Sequence, residues 1–521
     1  VRIGTTPDHG GERQGDYLRG GTGGTVQQKP EGPGPVKFHA GRPEPPVKPA
    51  AAPGAAPGTP GARNDRHPIV RATPRPAYTL PPGFGAGGGK TTMLSKENGD
   101  SLLHQVNSAR GNLGGINNRR LPGGVVSVHG DGAVTVSSRG RKYDVRQDGT
   151  LASYTARGAT ARFRPDGKLR NLHTGKLDIV RGPHDERRIF TVRPDDSVLV
   201  STGPKSGYLQ RKVVVKNITV IQRTYVVNNT VYTRSYTPYS YRGADLIVYR
   251  PAGYYEPDYY RWVGTGWGAP VRYSWGTGDP SYQYYRGYYV PADSYLSPSE
   301  WLADYLVRET LRAAYLERMQ EQAREQEPDP SADDPMPPGT RDRIARQIQW
   351  QLARERRAAT DPNRPSDVGT LQSLLNDTVR TFIVSTSLVV PTLDGGECGL
   401  TAGAVLRPNR VPEEEDQVAE MNVVSSRRAD CPAQTVVTLT FEDLQEMDNK
   451  MRERLYAGLD ALGRDPNGDL PAPPPAQLRN TGPEPGAADD NVLAMLKTQQ
   501  SEADQAEDQV LNSAFAEDQS L

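Results

Sequence analysis

Gln147-Asp148-Gly149-Thr150-Leu151 and Pro165-Asp166-Gly167-Lys168-Leu169 decide how this chain of 521 residues is read. Both place Asp-Gly between short stretches in which apolar, Thr and Arg residues alternate. The phrase recurs as His129-Gly130-Asp131-Gly132-Ala133-Val134 and, altered, as Pro194-Asp195-Asp196-Ser197-Val198-Leu199. Asp-Gly flanked by alternating residues signals a β-hairpin, with a type I′ turn when both central residues take positive φ. The turn aspartates lie 17, 18 and 29 residues apart. This spacing predicts a β-meander over 121–224, with an extra hairpin near Arg181-Gly182-Pro183 filling the longest step. Val213 to Ile221 reads as one closing strand.

Beyond the meander the composition changes. Residues 225–296 form a Tyr/Trp/Gly-rich contact region: 17 of the 25 tyrosines and three of the five tryptophans fall between 225 and 295. With few aliphatic residues, this stretch reads as extended chain offering flat amphipathic surface rather than a core. Its candidate assembly or ligand contacts are Tyr254, Tyr255, Tyr259, Tyr260, Trp262, Trp267, Trp275, Tyr284, Tyr285, Tyr288 and Tyr289. Ser297-Pro298-Ser299-Glu300 then opens a helical segment over 297–360, since Ser caps, Pro fits the first turn and Glu reaches back. Thr340 is placed to cap its second helix, whose outer face carries Arg354, Arg356 and Arg357. Residues 379–463 read as short strands at 380–390, 397–407, 418–426 and 434–440, a fifth less defined, and a helix capped by Thr440. The remainder, 464–521, is Pro-rich and then acidic. From 481 it reads as mostly disordered, with one or two helical turns from Val492 to Lys497.

Working towards the N-terminus, residues 1–120 form a Gly/Pro-rich extended arm; 19 Gly and 16 Pro occur in the first 90 residues alone. Such a segment favours polyproline II and forms no core. Val1 in place of Met reads as a processed terminus or a fragment end. Across the whole chain, 63 basic and 62 acidic residues leave a formal charge of +1, so no global field draws the protein to nucleic acid. No apolar run is long enough for a transmembrane helix.

The motifs that carry chemistry are few. Gly85-Ala86-Gly87-Gly88-Gly89-Lys90-Thr91 has Phe84 where a phosphate loop needs Gly, and reads as a linker. The last of the seven histidines is His184, so the C-terminal half has no imidazole for base catalysis or metal ligation. Asp258, Asp279 and Asp293 lie among aromatics, as in sugar sites, but also beside turn-forming Pro and Gly. The interleaved Arg234, Tyr236, Tyr239, Tyr241, Arg242, Tyr249 and Arg250 offer base stacking, without an accompanying basic excess. No metal, cofactor or catalytic set is assigned. Cys398 and Cys431, 33 residues apart, lack the partners of a metal site. They are either two buried thiols or one disulfide, and the disulfide, in an oxidising compartment, is the favoured reading.

The Asp-Gly phrasing is similar to YD/Rhs-type β repeats, and the strand lengths of 379–442 are similar to a bacterial SH3-like small barrel. The order of parts, with Trp301-Leu302-Ala303-Asp304-Tyr305-Leu306 and Glu397-Cys398-Gly399-Leu400-Thr401-Ala402-Gly403 through Cys431 to Asp443-Leu444-Gln445-Glu446-Met447, resembles exported proteins of acidobacterial type. That resemblance covers about 121–460 and implies export, without implying an activity. The fold expected is multi-module and mainly β with helices: meander, Tyr-rich extended region, two linker helices, SH3-like barrel with C-terminal helix.

The function expected is that of a non-enzymatic, extracellular or cell-surface structural protein, with the periplasm as alternative. It would self-assemble as a homo-oligomer, even a filament, through the arm and the Tyr-rich region. A cell-wall or polysaccharide-binding envelope protein is the second reading and a glycan-processing hydrolase the third.

Overall fold

The computed structural model describes residues 118–515, apart from 122–123, 130–131, 139, 204, 216–217, 228, 321–332, 362–367, 465–468 and 481–490. Residues 1–117, which hold most of the Gly/Pro arm with its linker and first four histidines, lie outside the described residues, and the last three residues assigned to the arm belong to the first strand.

Asn118 to Arg250 form one 14-stranded antiparallel sheet, β1 (Asn118–Leu121) to β14 (Ala244–Arg250), in which spatial order follows chain order. The protein is thus mainly β, and the meander runs past residue 224 into the Tyr-rich block. The Asp-Gly turns at Gly149 and Gly167 are not type I′. Arg146 and Thr150 pair across a three-residue loop, and only Gly149 takes positive φ, at 87°. The same loop joins Arg164 to Lys168 and Arg193 to Ser197. This is the type I turn followed by a left-handed residue, and the preceding aspartate explains the preference. Asp148, Asp166 and Asp195 each accept the amide two residues on, at 2.9, 3.0 and 3.2 Å. An Asx turn therefore leaves Gly in the third place. A further hairpin joins β8 (Asp178–Arg181) to β9 (Arg187–Val192).

The stretch from Val213 to Ile221 is not one strand. β11 (Ser206–Val215) and β12 (Ile218–Val227) pair from Ser206↔Val227 to Val215↔Ile218, so the chain reverses inside that run. β-branched residues on both sides conceal the reversal. β10 (Val198–Gly203) and β13 (Thr230–Tyr241) flank this long hairpin.

The Tyr-rich block is not extended throughout. After β12 to β14 it forms β15 (Gly253–Tyr255), helix α1 (Pro257–Val263), β16 (Val271–Arg272), helix α2 (Pro280–Tyr285) and β17 (Ser294–Tyr295). These short elements pack on three longer helices: α3 (Pro298–Gln320), α4 (Thr340–Thr360) and, much later in the chain, α6 (Phe441–Arg464). α3 begins as its sequence dictates, with the Glu300 amide on Ser297 Oγ and the Glu300 carboxylate on the Leu296 amide. Thr340 is not a cap. Gly339, at φ 82°, takes that place and Thr340 is the first helical residue.

After helix α5 (Leu371–Leu375), the stretches 380–390 and 397–407 each break into two strands. β18 (Phe382–Ile383), β21 (Val405–Pro408), β22 (Val418–Ser425) and β23 (Val436–Thr440) form a four-stranded sheet. β19 (Leu388–Pro391) and β20 (Glu397–Leu400) form a separate hairpin. Gly403, at φ 94°, turns the chain from the hairpin into the sheet, and its missing Cβ leaves room for Leu311 and Tyr288. Cys398 on β20 is bonded to Cys431, with Cα atoms 5.1 Å apart. Thr440 Oγ1 caps α6 through the Asp443 amide.

The acidic tail is also not mostly disordered. β24 (Leu478–Asn480) pairs with β15, and Val492–Phe515 forms helix α7, which lies on the meander. Val492, Leu496, Ala503, Val510 and Ala514 face the sheet. The tail's acids are held by arginines some 300 residues earlier: Arg187 bonds Asp504 at 2.5 Å and Arg181 bonds Glu507 at 2.7 Å. Gln499 donates to the Leu199 carbonyl and Thr191 Oγ1, at 3.0 and 2.7 Å.

Candidate functional site

Side chains alternate across a strand, so each face of β9 to β13 has its own set. On one face Leu199, Leu209 and Val226 pack under Val492 and Leu496 of α7. On the other, register places Phe190, Val200, Tyr208, Tyr225 and Tyr232 directly opposite one another across five strands. The last three rings touch in sequence, with centroids 5.2 Å apart at both steps: Tyr208 is tilted against Tyr225, and Tyr225 is stacked on Tyr232. This cross-strand ladder is the floor of a cleft of about 380 Å³, within the range of small-ligand sites. Helices α3 and α6 form its roof. α3 presents Tyr305, Glu309, Arg312 and Leu316, and α6 presents Glu446, Lys450, Glu453, Arg454 and Ala457, both at helical spacing.

A buried polar network fixes the floor to the roof. Arg223 stacks on the rings of Tyr208 and Tyr236, 4.5 and 4.8 Å from their centroids. It donates to both oxygens of Glu446 at 2.8 Å. The hydroxyls of Tyr225 and Tyr236 lie 2.7 Å apart, and Tyr236 donates to Glu453. Lys450 bonds Glu453 at 3.1 Å and the Tyr225 hydroxyl at 2.9 Å. Burial opposes the charge of Lys450 and Arg223, yet Glu453 and Glu446 outweigh it and hold both above their ordinary values. Burial pushes the Tyr225 hydroxyl up to about 12, so it stays a protonated donor. These residues offer oriented donors, acceptors and ring faces.

The candidate contacts proposed from sequence lie elsewhere. Tyr255, Tyr259, Tyr260, Trp275, Tyr285, Tyr288 and Tyr289 are buried in the core formed with α3, α4 and α6. Tyr254, Trp262, Trp267 and Tyr284 are half-buried against that core. The aromatics pack on helices of their own chain, which supply the Leu, Val and Ile that the block lacks. Tyr259 donates to the Leu459 carbonyl, and Tyr288 to that of Gly403 at 3.1 Å. Asp279 caps α2 through the Ser281 amide at 2.9 Å, a structural role. Of the interleaved Arg/Tyr set, Arg234 lines the cleft. Tyr208, Tyr225, Tyr232, Arg188, Lys450 and Arg454 escaped the sequence reading. The one local signal is Arg223-Thr224-Tyr225 mirrored by Tyr232-Thr233-Arg234, two same-face pairs on adjoining strands.

Among the described residues no group of His, Cys, Asp or Glu is placed to hold a metal ion, and no helix is long and apolar enough to cross a membrane. No protein-family model matches the chain, and no curated protein or solved structure is significantly similar to it.

Proposed function

We propose that this chain is a non-enzymatic, exported binding protein that holds a cell-envelope or extracellular glycan in the cleft between β9–β13 and helices α3 and α6. The observation that carries this reading is the tyrosine ladder facing a roof of fixed polar groups. A pyranose has an apolar C–H face and a rim of hydroxyls. It needs an aromatic surface and preplaced hydrogen-bond partners together. Glu446 and Glu453 already bond Arg223, Lys450 and Tyr236, which favours holding a sugar over cleaving one. The disulfide supports an oxidising compartment. For 379–463 an SH3-like barrel is the fold proposed. The bridge between Thr392 and Val437, joining hairpin to sheet, supports such a closure.

Calorimetric titration of the full chain with a panel of glycans tests the function. Binding is expected, and Tyr232→Ala, at the end of the ladder, should weaken it about tenfold, or ~1.4 kcal/mol. A chain that binds no glycan contradicts the reading.

Self-assembly through the arm is a second proposal. The observation favouring it is that the open sheet ends at β1, an edge strand continuous with the arm. Sedimentation of the full chain should show oligomers that disappear when residues 1–90 are deleted. A full chain that is monomeric at micromolar concentration overturns it.

A further inference from the structure

We infer that the glycan is acidic, an oligosaccharide with carboxylate-bearing sugars along its length, because the cleft presents three guanidinium groups that make no ion pair among the described residues. This rests on the glycan-binding reading of the cleft and names the class of glycan. Arg188, Arg234 and Arg454 all line the cleft, and none has an ion pair among the described residues. Arg234 stacks on Tyr232 at 4.9 Å, donates only to the Thr233 carbonyl, at 3.3 Å, and leaves its buried Nε without a partner. Arg454 feels Glu453, Glu317 and Glu309 through space but makes no hydrogen bond among the described residues, and burial pulls it below its ordinary value.

The acids of the cleft, in contrast, are matched. Glu446 bonds Arg223, Glu453 bonds Lys450 and Tyr236, Glu309 lies 3.6 Å from Arg312, and Glu317 is engaged as well. Two kinds of charge therefore behave differently in one cavity: the carboxylates have bonded partners, whereas the three arginines make no ion pair among the described residues. A half-buried guanidinium with no carboxylate in ion-pair contact loses hydration that a ring face, one carbonyl or more distant charges replace only in part, a cost that an incoming anion removes. Arginine also accepts a carboxylate in a bidentate fork, so these groups can orient a sugar acid as well as attract it.

The spacing of the arginines points to an oligomer. Arg188 is on β9 and Arg234 on β13, separated by four strand spacings, or roughly 19 Å at about 4.8 Å each. Arg454 faces them from the roof. No single carboxylate or simple inorganic anion reaches both ends of such a row. A chain with a carboxylate on successive rings does, while the rings between lie on Tyr208, Tyr225 and Tyr232.

The test uses the full chain and four probes: oligogalacturonate, neutral cello-oligosaccharide of equal length, galacturonic acid monomer and dextran sulfate. Oligogalacturonate should bind at least about tenfold more tightly than the neutral oligomer or the monomer, and binding should weaken as salt is added. R188Q and R454Q should each weaken it roughly ten- to a hundredfold, the worth of a charged hydrogen bond. Thermal melting of both variants establishes that they fold, and R188Q, on the sheet away from the buried network, suffices if R454Q does not. Equal binding of neutral and acidic oligomers, or unchanged affinity in folded R188Q, overturns the inference and leaves the glycan reading standing. Preference for dextran sulfate overturns the carboxylate assignment. Failure of every probe to bind overturns both.

Discussion

Asp448 lies on α6 with 2% of its surface exposed, and its Oδ2 has no hydrogen-bond partner among the described residues. Burial, and secondarily Glu355 against the attraction of Arg452, pushes its carboxyl up to about 7 from an ordinary value of 3.8. The folded chain therefore holds a proton between about pH 4 and 7 that the unfolded chain has lost. This group's contribution to stability is greatest below about pH 4 and falls as pH rises to about 7. The slope approaches ~1.4 kcal/mol per pH unit. Asp448→Asn should flatten that part of a urea-denaturation profile measured against pH; an unchanged slope contradicts the assignment. Glycines at the turns behave similarly as single-residue determinants. Asp196 occupies, at φ 58°, the left-handed place that Gly149 and Gly167 fill in the other loops. Asp196→Gly should stabilise by up to about 1 kcal/mol and Gly167→Ala should destabilise by about as much, read from denaturation midpoints. The Asp-Gly pairs revealed where the chain turns. They did not reveal the turn type, because Asp-Gly suits a two-residue loop and an Asx-capped three-residue loop equally.

Elements follow the same logic one level up. α3 and α6 were legible because their caps and apolar stripes are local. α7 was hidden: it lies in an acidic tail, its buried apolar stripe includes two alanines, and its counter-charges Arg181 and Arg187 come from distant strands. Its docking is specific, since Leu496 packs where Gly207 leaves no Cβ. Leu496→Ala should cost about 2–4 kcal/mol, seen as faster hydrogen exchange in α7 and in β10 and β11. Unchanged exchange there contradicts this packing. The disulfide joins β20 to Cys431 across a 33-residue separation. Its removal, as Cys398→Ala with Cys431→Ala, should lower stability by ~3–4 kcal/mol in the chain-entropy view. Free thiols at both positions in non-reduced peptide mapping contradict the bridge.

At the scale of the molecule, residues from 188 to 457 meet in one cleft, and that meeting was not legible in the sequence. A meander can be counted from its turns, but which face receives helices 80 and 220 residues later depends on tertiary packing. The tyrosine block shows the same limit. Its residues read as surface because no aliphatic partners are near in sequence, whereas α3, α4 and α6 bring those partners from elsewhere and bury them. The result shifts the candidate contact surface from the block at 254–289 to the ladder Tyr208, Tyr225 and Tyr232. Hydroxyl-radical footprinting of the full chain, with and without saturating oligogalacturonate, separates these two surfaces. Tyr208, Tyr232 and Leu316, on the floor and roof of the cleft, should be protected, with Tyr254, Trp262, Trp267 and Tyr284 unchanged. Protection confined to those four, or no protection in the cleft, would contradict this placement.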